Sequence, residues 1–366
     1  DLQTHNLMSY QTETLLPCQD IQGRLEDLWK TPSFPGADDK MPFSDMLNSQ
    51  INRYPISTAL VSGQSKLHDV VVTYFPRLTE DLTETKSATE ITCVQTAKYG
   101  NISRTYTPPD TAISSGEVIS VADLPRFCGD NPMYFEMVVA RHIDVVRRAL
   151  ATQQAEEAVL LNGTWGSGIF TTGNAAGNVN VSNQYVWATR YSDGKPNPEA
   201  WADLRMAFDD VGAGDQLFLA GGKTGRSYFN ASMIGCCTDG GVDLAAAMQQ
   251  WGLAYAYDTR LTAALGSTNE FMALTPGNLV PIYFTMAQWK DGMSPIFVDS
   301  GNYKLIAITD PMTGVPMDLT ISENCGEISI TVSTAEKLIN LPTDFYSTPD
   351  PYAGKNGVFQ VLITNP

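Results

Sequence analysis

The stretch that decides the fold is Asn131-Pro-Met-Tyr-Phe-Glu-Met-Val-Val-Ala-Arg-His-Ile-Asp-Val-Val-Arg-Arg-Ala-Leu-Ala-Thr-Gln-Gln-Ala-Glu-Glu-Ala-Val-Leu-Leu-Asn-Gly163. Asn131 is a good helix N-cap, and Pro132 fits the first helical position, where no amide hydrogen is needed. Apolar residues recur at Phe135, Val139, Ile143, Val146 and Leu150, a helical spacing of three or four. Asn162-Gly163 closes the run, with Gly163 suited to the left-handed conformation of a helix end. About 30 residues at 1.5 Å per residue give a helix of ~45 Å. Globular helices average ~10–14 residues. A helix this long is expected to cross a whole domain or to brace two of them.

On the N-terminal side, residues 1–65 are polar and broken by Pro17, Pro32, Pro35, Gly36, Pro42 and Pro55. They are expected to form an arm. One amphipathic stretch, 21–29, is expected to be a short helix lying on another surface. From Asp69 the pattern changes to period two, with Val70, Val72 and Tyr74 alternating with Val71, Thr73 and Phe75. An acidic, Thr-rich stretch (78–90) and two further β-like runs (91–95 and 102–106) follow, closed by Pro108-Pro109. This predicts a long hairpin or ribbon. Its few bulky apolar residues suggest that it projects instead of entering a core.

On the C-terminal side, a Gly/Asn-rich loop (163–183) precedes a second capped helix at Asn197-Pro198. That helix carries the stripe Trp201, Leu204, Phe208, Val211 and stops at Gly212. A buried strand (216–220), a helix (242–251) and a strand (253–257) complete an α/β unit. The last third is rich in β signals. Runs 271–274 and 279–284 flank Thr275-Pro276-Gly277. Runs 303–308 and 317–321 flank Asp310-Pro311-Met312-Thr313-Gly314, good turn chemistry for a hairpin. Ile328, Ile330 and Val332 alternate inward against Ser329, Thr331 and Ser333, and a final strand spans 357–364. No internal repeat is present.

The chain has 366 residues, 43% hydrophobic and 17% charged, which excludes disordered, collagenous and low-complexity classes. Single cores stop growing near ~250–300 residues, so two or more sub-domains are expected. No apolar run reaches the ~18–20 residues of a membrane span. Lys+Arg 23 against Asp+Glu 40 gives a net charge of −17, which lacks the basic balance that gripping phosphates demands. The six cysteines (Cys18, Cys93, Cys128, Cys236, Cys237, Cys325) form no C-x-x-C or metal-like spacing. They do not make a disulfide scaffold, so a reducing compartment is the default. No signal-peptide pattern opens the chain. The first residue is Asp1, before which cells rarely trim Met. A clipped N-terminus and a numbering that begins at the first ordered residue are equal readings of it.

Tested motifs give no catalytic, cofactor-binding or metal-binding residues. Gly221-Gly222-Lys223-Thr224 resembles a phosphate loop, but the glycine required five positions before Gly222 is Leu217. A strand-to-helix loop is expected there instead. Gly212-Ala213-Gly214 precedes a strand where a dinucleotide turn would follow one. His5, His68 and His142 carry no zinc-binding spacing. Glu156-Glu157 and Asp209-Asp210 are expected on solvated helix faces. The sequons at Asn101, Asn162, Asn180 and Asn230 are read as chance. The expectation is a protein that is not an enzyme and needs no cofactor. Its distinctive features are architectural, and arms or ribbons that cannot bury themselves imply neighbours.

The order of these elements resembles the major capsid proteins of tailed bacteriophages, the Hong Kong 97-like fold shared with encapsulins. The residues that carry the resemblance are Ser120-Val-Ala-Asp-Leu-Pro-Arg126 running into Asp130-Asn-Pro and the helix, and its end, Gln154-Ala-Glu-Glu-Ala-Val-Leu-Leu-Asn-Gly163. Glu156, Leu160, Asn162 and Gly163 match the family's E-x-x-x-L-x-N-G helix end. The segments 310–318 and 342–357 look like its returning strands. The resemblance implies an α+β fold with an N-terminal arm (1–65) and an extended loop (66–109). It implies a peripheral domain (110–195) with a spine helix (131–162), an axial α/β domain (196–275), and returning strands (276–366).

The function it implies is a structural one, self-assembly through hexamers and pentamers into an icosahedral head shell around packaged double-stranded DNA, without sequence-specific DNA binding. Its implied partners are copies of itself, with portal, scaffold and decoration proteins, and no membrane. Its place would be the virion, assembled in the host cytoplasm. A clipped N-terminus would fit removal of a scaffolding segment by a maturation protease. One type of family member links an extended-loop lysine to a neighbouring asparagine, and Lys66, Lys86 and Lys98 are the lysines in reach of that idea; ordinary solvated lysines are the favoured reading. An encapsulin-type compartment loaded with protein cargo is the alternative on the same fold. A soluble hydrolase or glycan-binding protein, with Trp165, Tyr185, Trp187 and Tyr191 stacking on sugar, is the alternative from another class.

Overall fold

The computed structural model describes residues 21–30, 40–50, 56–61, 69–74, 102–120, 134–161, 179–181, 184–188, 205, 217–234, 252–274, 279–286, 298–300, 303–324, 327–340 and 358–364. Several sequence expectations lie outside these residues. They are the β-like run 91–95, both ends of the long helix (Asn131, Pro132, Asn162, Gly163), nearly all of the helix at 197–212, and the helix at 242–251. Asp209-Asp210, Gly212-Ala213-Gly214, His5, His68 and all six cysteines are outside them too, as are Lys66, Lys86, Lys98, Trp165, Tyr191 and the segment 342–357.

The long helix, α3, spans Tyr134–Leu161, 28 residues, or ~42 Å at the standard rise. Its sunken face follows the predicted spacing: Val139, Ile143, Val146 and Leu150 are buried, and the face continues through Gln154, Ala155 and Ala158. The change from branched side chains to alanines towards the C-terminus lets the helix approach its neighbours more closely there.

What α3 lies on is a six-stranded sheet built around one strand, β14 (Glu327–Asn340, 14 residues). Its first half pairs antiparallel with β13 (Pro316–Asn324) and with β4 (Ile113–Ser120). Its second half pairs with β10 (Leu279–Phe284). Beyond β13 come β12 (Tyr303–Thr309) and β11 (Val298–Ser300). The β12–β13 connection is the expected turn. Gly314 sits at φ +74°, its amide donates to Asp310 O at 2.9 Å, and the Asp310 carboxylate accepts from Met312 N at 3.0 Å.

Alternation along β14 decides what each half covers. Ile328, Ile330 and Val332 meet Val139, Ile143 and Val146 of α3 in the largest core, which Ile306, Ile308, Met317 and Leu319 complete. In the second half the strand is covered on both sides. Leu338 joins Ala155 and Ala158 of α3, whereas Ala335 and Ile339 face a second layer.

That second layer is a three-stranded antiparallel sheet of β1 (Ile56–Val61), β2 (Asp69–Tyr74) and β3 (Ile102–Tyr106). Here the ribbon expectation is corrected at its base. Val70, Val72 and Tyr74 enter a core with Val280, Ile282 and Phe284 of β10. Three inward side chains of this size each gain about 1.5–3 kcal/mol by burial, enough to seat the base on the chain's own sheet. The strand order differs as well, because β1 comes from the stretch assigned to the arm.

The arm is corrected in the same way. Helix α1 (Ile21–Trp29) buries Leu25, Leu28 and Trp29 in the largest core of its own chain. Helix α2 (Pro42–Gln50) buries Phe43, Met46 and Leu47 in the second. Each carries a short apolar stripe that the sheet and α3 cover, so neither lacks a surface of its own.

The α/β unit has a six-stranded sheet in the order β5 (Val179–Val181), β6 (Gln184–Ala188), β15 (Val358–Thr364), β9 (Glu270–Leu274), β7 (Leu217–Gly221), β8 (Leu253–Tyr257). β7 and β8 run parallel, with α4 (Lys223–Ile234) between them in sequence. The runs flanking Thr275-Pro276-Gly277 do not pair with each other: β9 belongs to this sheet and β10 to the one under α3. A short helix that sequence reading missed, α5 (Thr259–Leu265), follows β8. Asp258 caps it by accepting from Arg260 N at 2.9 Å, and Gly266, at φ +73°, ends it. The Asp258 carboxylate also accepts from Phe43 N at 3.3 Å, so one side chain serves the first turns of α2 and α5.

Candidate assembly surfaces

Among the described residues, two features of this architecture are left without a partner element. The first is the outer side of α3. With Val139, Ile143, Val146 and Leu150 turned inward, Met137, Arg141, Val145, Arg148, Thr152, Glu156 and Leu160 run along the opposite side as exposed residues. Leu160 is 82% exposed, and it stands in the sequence motif at the helix end. The second is β4. Among the described residues it pairs on one edge only, with β14, and Val118 on it is 61% exposed. A strand edge with unpaired amides and carbonyls is a template for a further chain.

Charged groups fasten β4 to α3. Arg141 forms an ion pair with Glu117, and the His142 imidazole shares a hydrogen bond of 2.8 Å with Ser115 Oγ. Burial pushes the His142 pKa below the usual histidine range; Glu117 opposes this without reversing it. The ring works as a packed, hydrogen-bonded side chain. One turn on, the Asp144 carboxylate receives both Arg147 and Arg148 at 2.9 Å, and Arg147 stacks over the Trp29 ring of α1 at 5.9 Å. Cation and ring together tie α1 to the spine.

Glu156-Glu157 divides. Glu156 is exposed as expected, whereas Glu157 is half-buried and engaged with its own chain. Its carboxylate accepts from Leu338 N of β14 at 2.8 Å and from Gln153 Nε2 at 2.8 Å. Helix and strand are thus linked by a charge-assisted hydrogen bond. Next to it lies a fully buried polar group. Gln154 Nε2 donates to Glu336 Oε1 at 3.0 Å and to Tyr283 Oη at 3.2 Å, and the Tyr283 hydroxyl donates to Asn48 Oδ1 of α2. Sequence periodicity gave no sign of this cluster, because Glu336 and Gln154 are polar residues at positions where the pattern asks for apolar ones.

The glycines of the rejected phosphate loop have a packing explanation. A Cβ on Gly222 would lie 2.5 Å from Thr268 O, and one on Gly221 2.6 Å from Phe271 Cα. They let the β7–α4 turn pass directly against the chain around β9. Among the described residues no group of three or more His, Cys, Asp or Glu could hold a metal ion. Among them, too, no helix is long and apolar enough to cross a membrane.

No family model and no curated protein matches the sequence. Solved structures do. The chain is similar to one from the cyanophage A-1(L) capsid asymmetric unit at 11% identity, over 89% of this chain and 94% of that one, with a TM-score of 0.43. It is similar to the capsid of an empty GTA particle at 13% identity, over 87% and 89%, with a TM-score of 0.36. It is also similar to the capsid of Ralstonia phage GP4 at 9% identity, over 85% and 87%, with a TM-score of 0.36. All three are capsids.

Proposed function

We propose that this chain is a major capsid protein that assembles with copies of itself into the closed shell of a tailed phage head. The observation that carries the reading is the placement of α3. One face of a 28-residue helix is sunk into two cores, its other face carries exposed residues from Met137 to Leu160, and among the described residues the neighbouring strand β4 pairs on one edge only. The order of elements, ribbon, spine helix, α/β unit and returning strands, is the order that the sequence resemblance implies. The role is mechanical, not catalytic. The extended loop of residues 66–109, beyond the base that β2 and β3 seat on the chain's own sheet, is assigned to contact with a neighbouring copy, and residues 196–275 to the centre of hexamers and pentamers. Portal, scaffold and decoration proteins are further partners in this reading. Virion assembly takes place in the host cytoplasm. The net charge of −17 suits a wall that repels the DNA it contains.

Purified full-length protein examined by negative-stain microscopy and sedimentation is expected to form closed shells of megadalton mass. A 39.9 kDa monomer at every concentration would remove the proposal. Shells carrying a protein cargo in place of nucleic acid would identify a nanocompartment instead.

Leu160→Asp is expected to separate folding from assembly. The side chain is almost wholly exposed, so unfolding stability should change by no more than about 0.5 kcal/mol. The protein concentration needed for assembly should rise at least severalfold, as read by light scattering.

A further inference from the structure

Glu336 lies in the second half of β14, opposite Tyr283 of β10 and just past the point where that strand leaves its β13 and β4 partners. It is 1% exposed and points at α3. Only one of its oxygens is satisfied. Oε1 accepts from Gln154 Nε2, whereas Oε2 has no partner, and neither does Oε1 of Gln154 itself. Two buried acceptors without a donor, on two side chains already joined by one hydrogen bond, lack a single hydrogen. A proton on Glu336 Oε2 would supply it, pairing carboxylic acid and amide head to head.

The carboxyl is enclosed by groups from three elements. From α3 come Gln153, whose amide reaches Glu336 O at 3.4 Å, then Gln154 and the Glu157 carboxylate. From β10 comes the Tyr283 hydroxyl, backed by Asn48 of α2 and, farther off, by Asp310. Among the described residues no cation is set against Glu336. Burial is the main cause that raises its proton affinity well above the usual carboxylate range; Glu157 adds to the rise and the Gln154 hydrogen bond offsets part of it.

We propose that Glu336 is a proton-held latch, a neutral carboxylic acid that fastens the C-terminal third of α3 to β14 and releases when the proton is lost. The ionised form would leave an anion buried beside Glu157, with its Oε2 and the Gln154 Oε1 both without a donor, so the helix–strand contact loosens.

The sign follows from tighter proton binding in the folded state than in the unfolded one. The contribution is complete below the ordinary glutamate value of 4.5 and is lost as pH rises through the folded value. Urea unfolding of the full chain and of Glu336→Gln at intervals from pH 5 to pH 9 tests it, because the amide keeps a hydrogen without titrating. The ratio of the two unfolding constants is expected to shift against the natural protein by up to about tenfold per pH unit across the window. Glu157→Gln should move that window to lower pH. Difference infrared spectroscopy of the natural protein at pH 7 should show a protonated carboxyl band that Glu336→Gln removes, a reading independent of reversible unfolding. A pH-independent ratio, or no such band at pH 7, would overturn the proposal.

Discussion

Replacing Ile143 by alanine is expected to cost about 2–5 kcal/mol, towards the upper end of that range. The side chain is fully buried midway along the inner face of α3, in the core that α1, β4, β12, β13 and β14 share. Large-to-small changes cost most where the surroundings cannot collapse into the space. Here a long helix is fixed on both sides of the site, by Val139 and Val146 on the same core and by Ala155 and Ala158 in the next. Urea denaturation followed by circular dichroism measures the loss. Met137→Ala, on the outer side of the same helix, is the control and should change stability by no more than about 0.5 kcal/mol. Equal effects at both positions would mean that the inner and outer faces of α3 have been assigned wrongly.

The second large effect is expected at Gly222→Ala. The added carbon would meet a backbone oxygen at 2.5 Å, and two further main-chain atoms of Thr268 lie within 3.0 Å. No flexible side chain can swing away. The Gly222 amide also donates to Glu270 O at 3.2 Å, so retreat of this turn would break a main-chain bond. Overpacking of this kind costs about 1–3 kcal/mol, and more where backbone must move. Lys223→Ala next to it, at an exposed position, should be nearly neutral. If Gly222→Ala is also neutral in thermal unfolding, the tight passage of this turn against the β9 region is incorrect.

These two sites show how unevenly the fold was legible. The spacing of Val139, Ile143, Val146 and Leu150 is a one-dimensional signal with a single good solution, and α3 follows it. The β12–β13 hairpin was legible for the same reason, since Asp310 and Gly314 are local determinants. The second half of β14 was not. Ala335-Glu336-Lys337-Leu338-Ile339 is covered on both sides, so no alternation marks it, and its partner residues on β10 lie more than 50 positions earlier in the chain. Strand β4 was missed because Ser114, Ser115 and Gly116 dilute its alternation. Helix α5 had readable ends, Asp258 and Gly266, but seven residues are too few for a periodic stripe. The arm and the ribbon base were placed away from the body because each stripe is too small to make a core alone. Periodicity cannot show that three such stripes are covered by one sheet.

Of the candidate surfaces, the helix-end motif with Glu156 and Leu160 was visible in sequence. The open edge of β4 and the junction of Gln154, Glu336 and Tyr283 were not, since they join residues 182 and 129 positions apart.

The double role of β14 carries a mechanical consequence. The strand is laced into antiparallel ladders at both ends, to β13 and β4 at one and to β10 at the other. Tension along its axis loads those rungs sideways, many at once, instead of peeling them one by one. A pull that tries to part β10 from β13 and β4 therefore meets a tendon before it meets a joint.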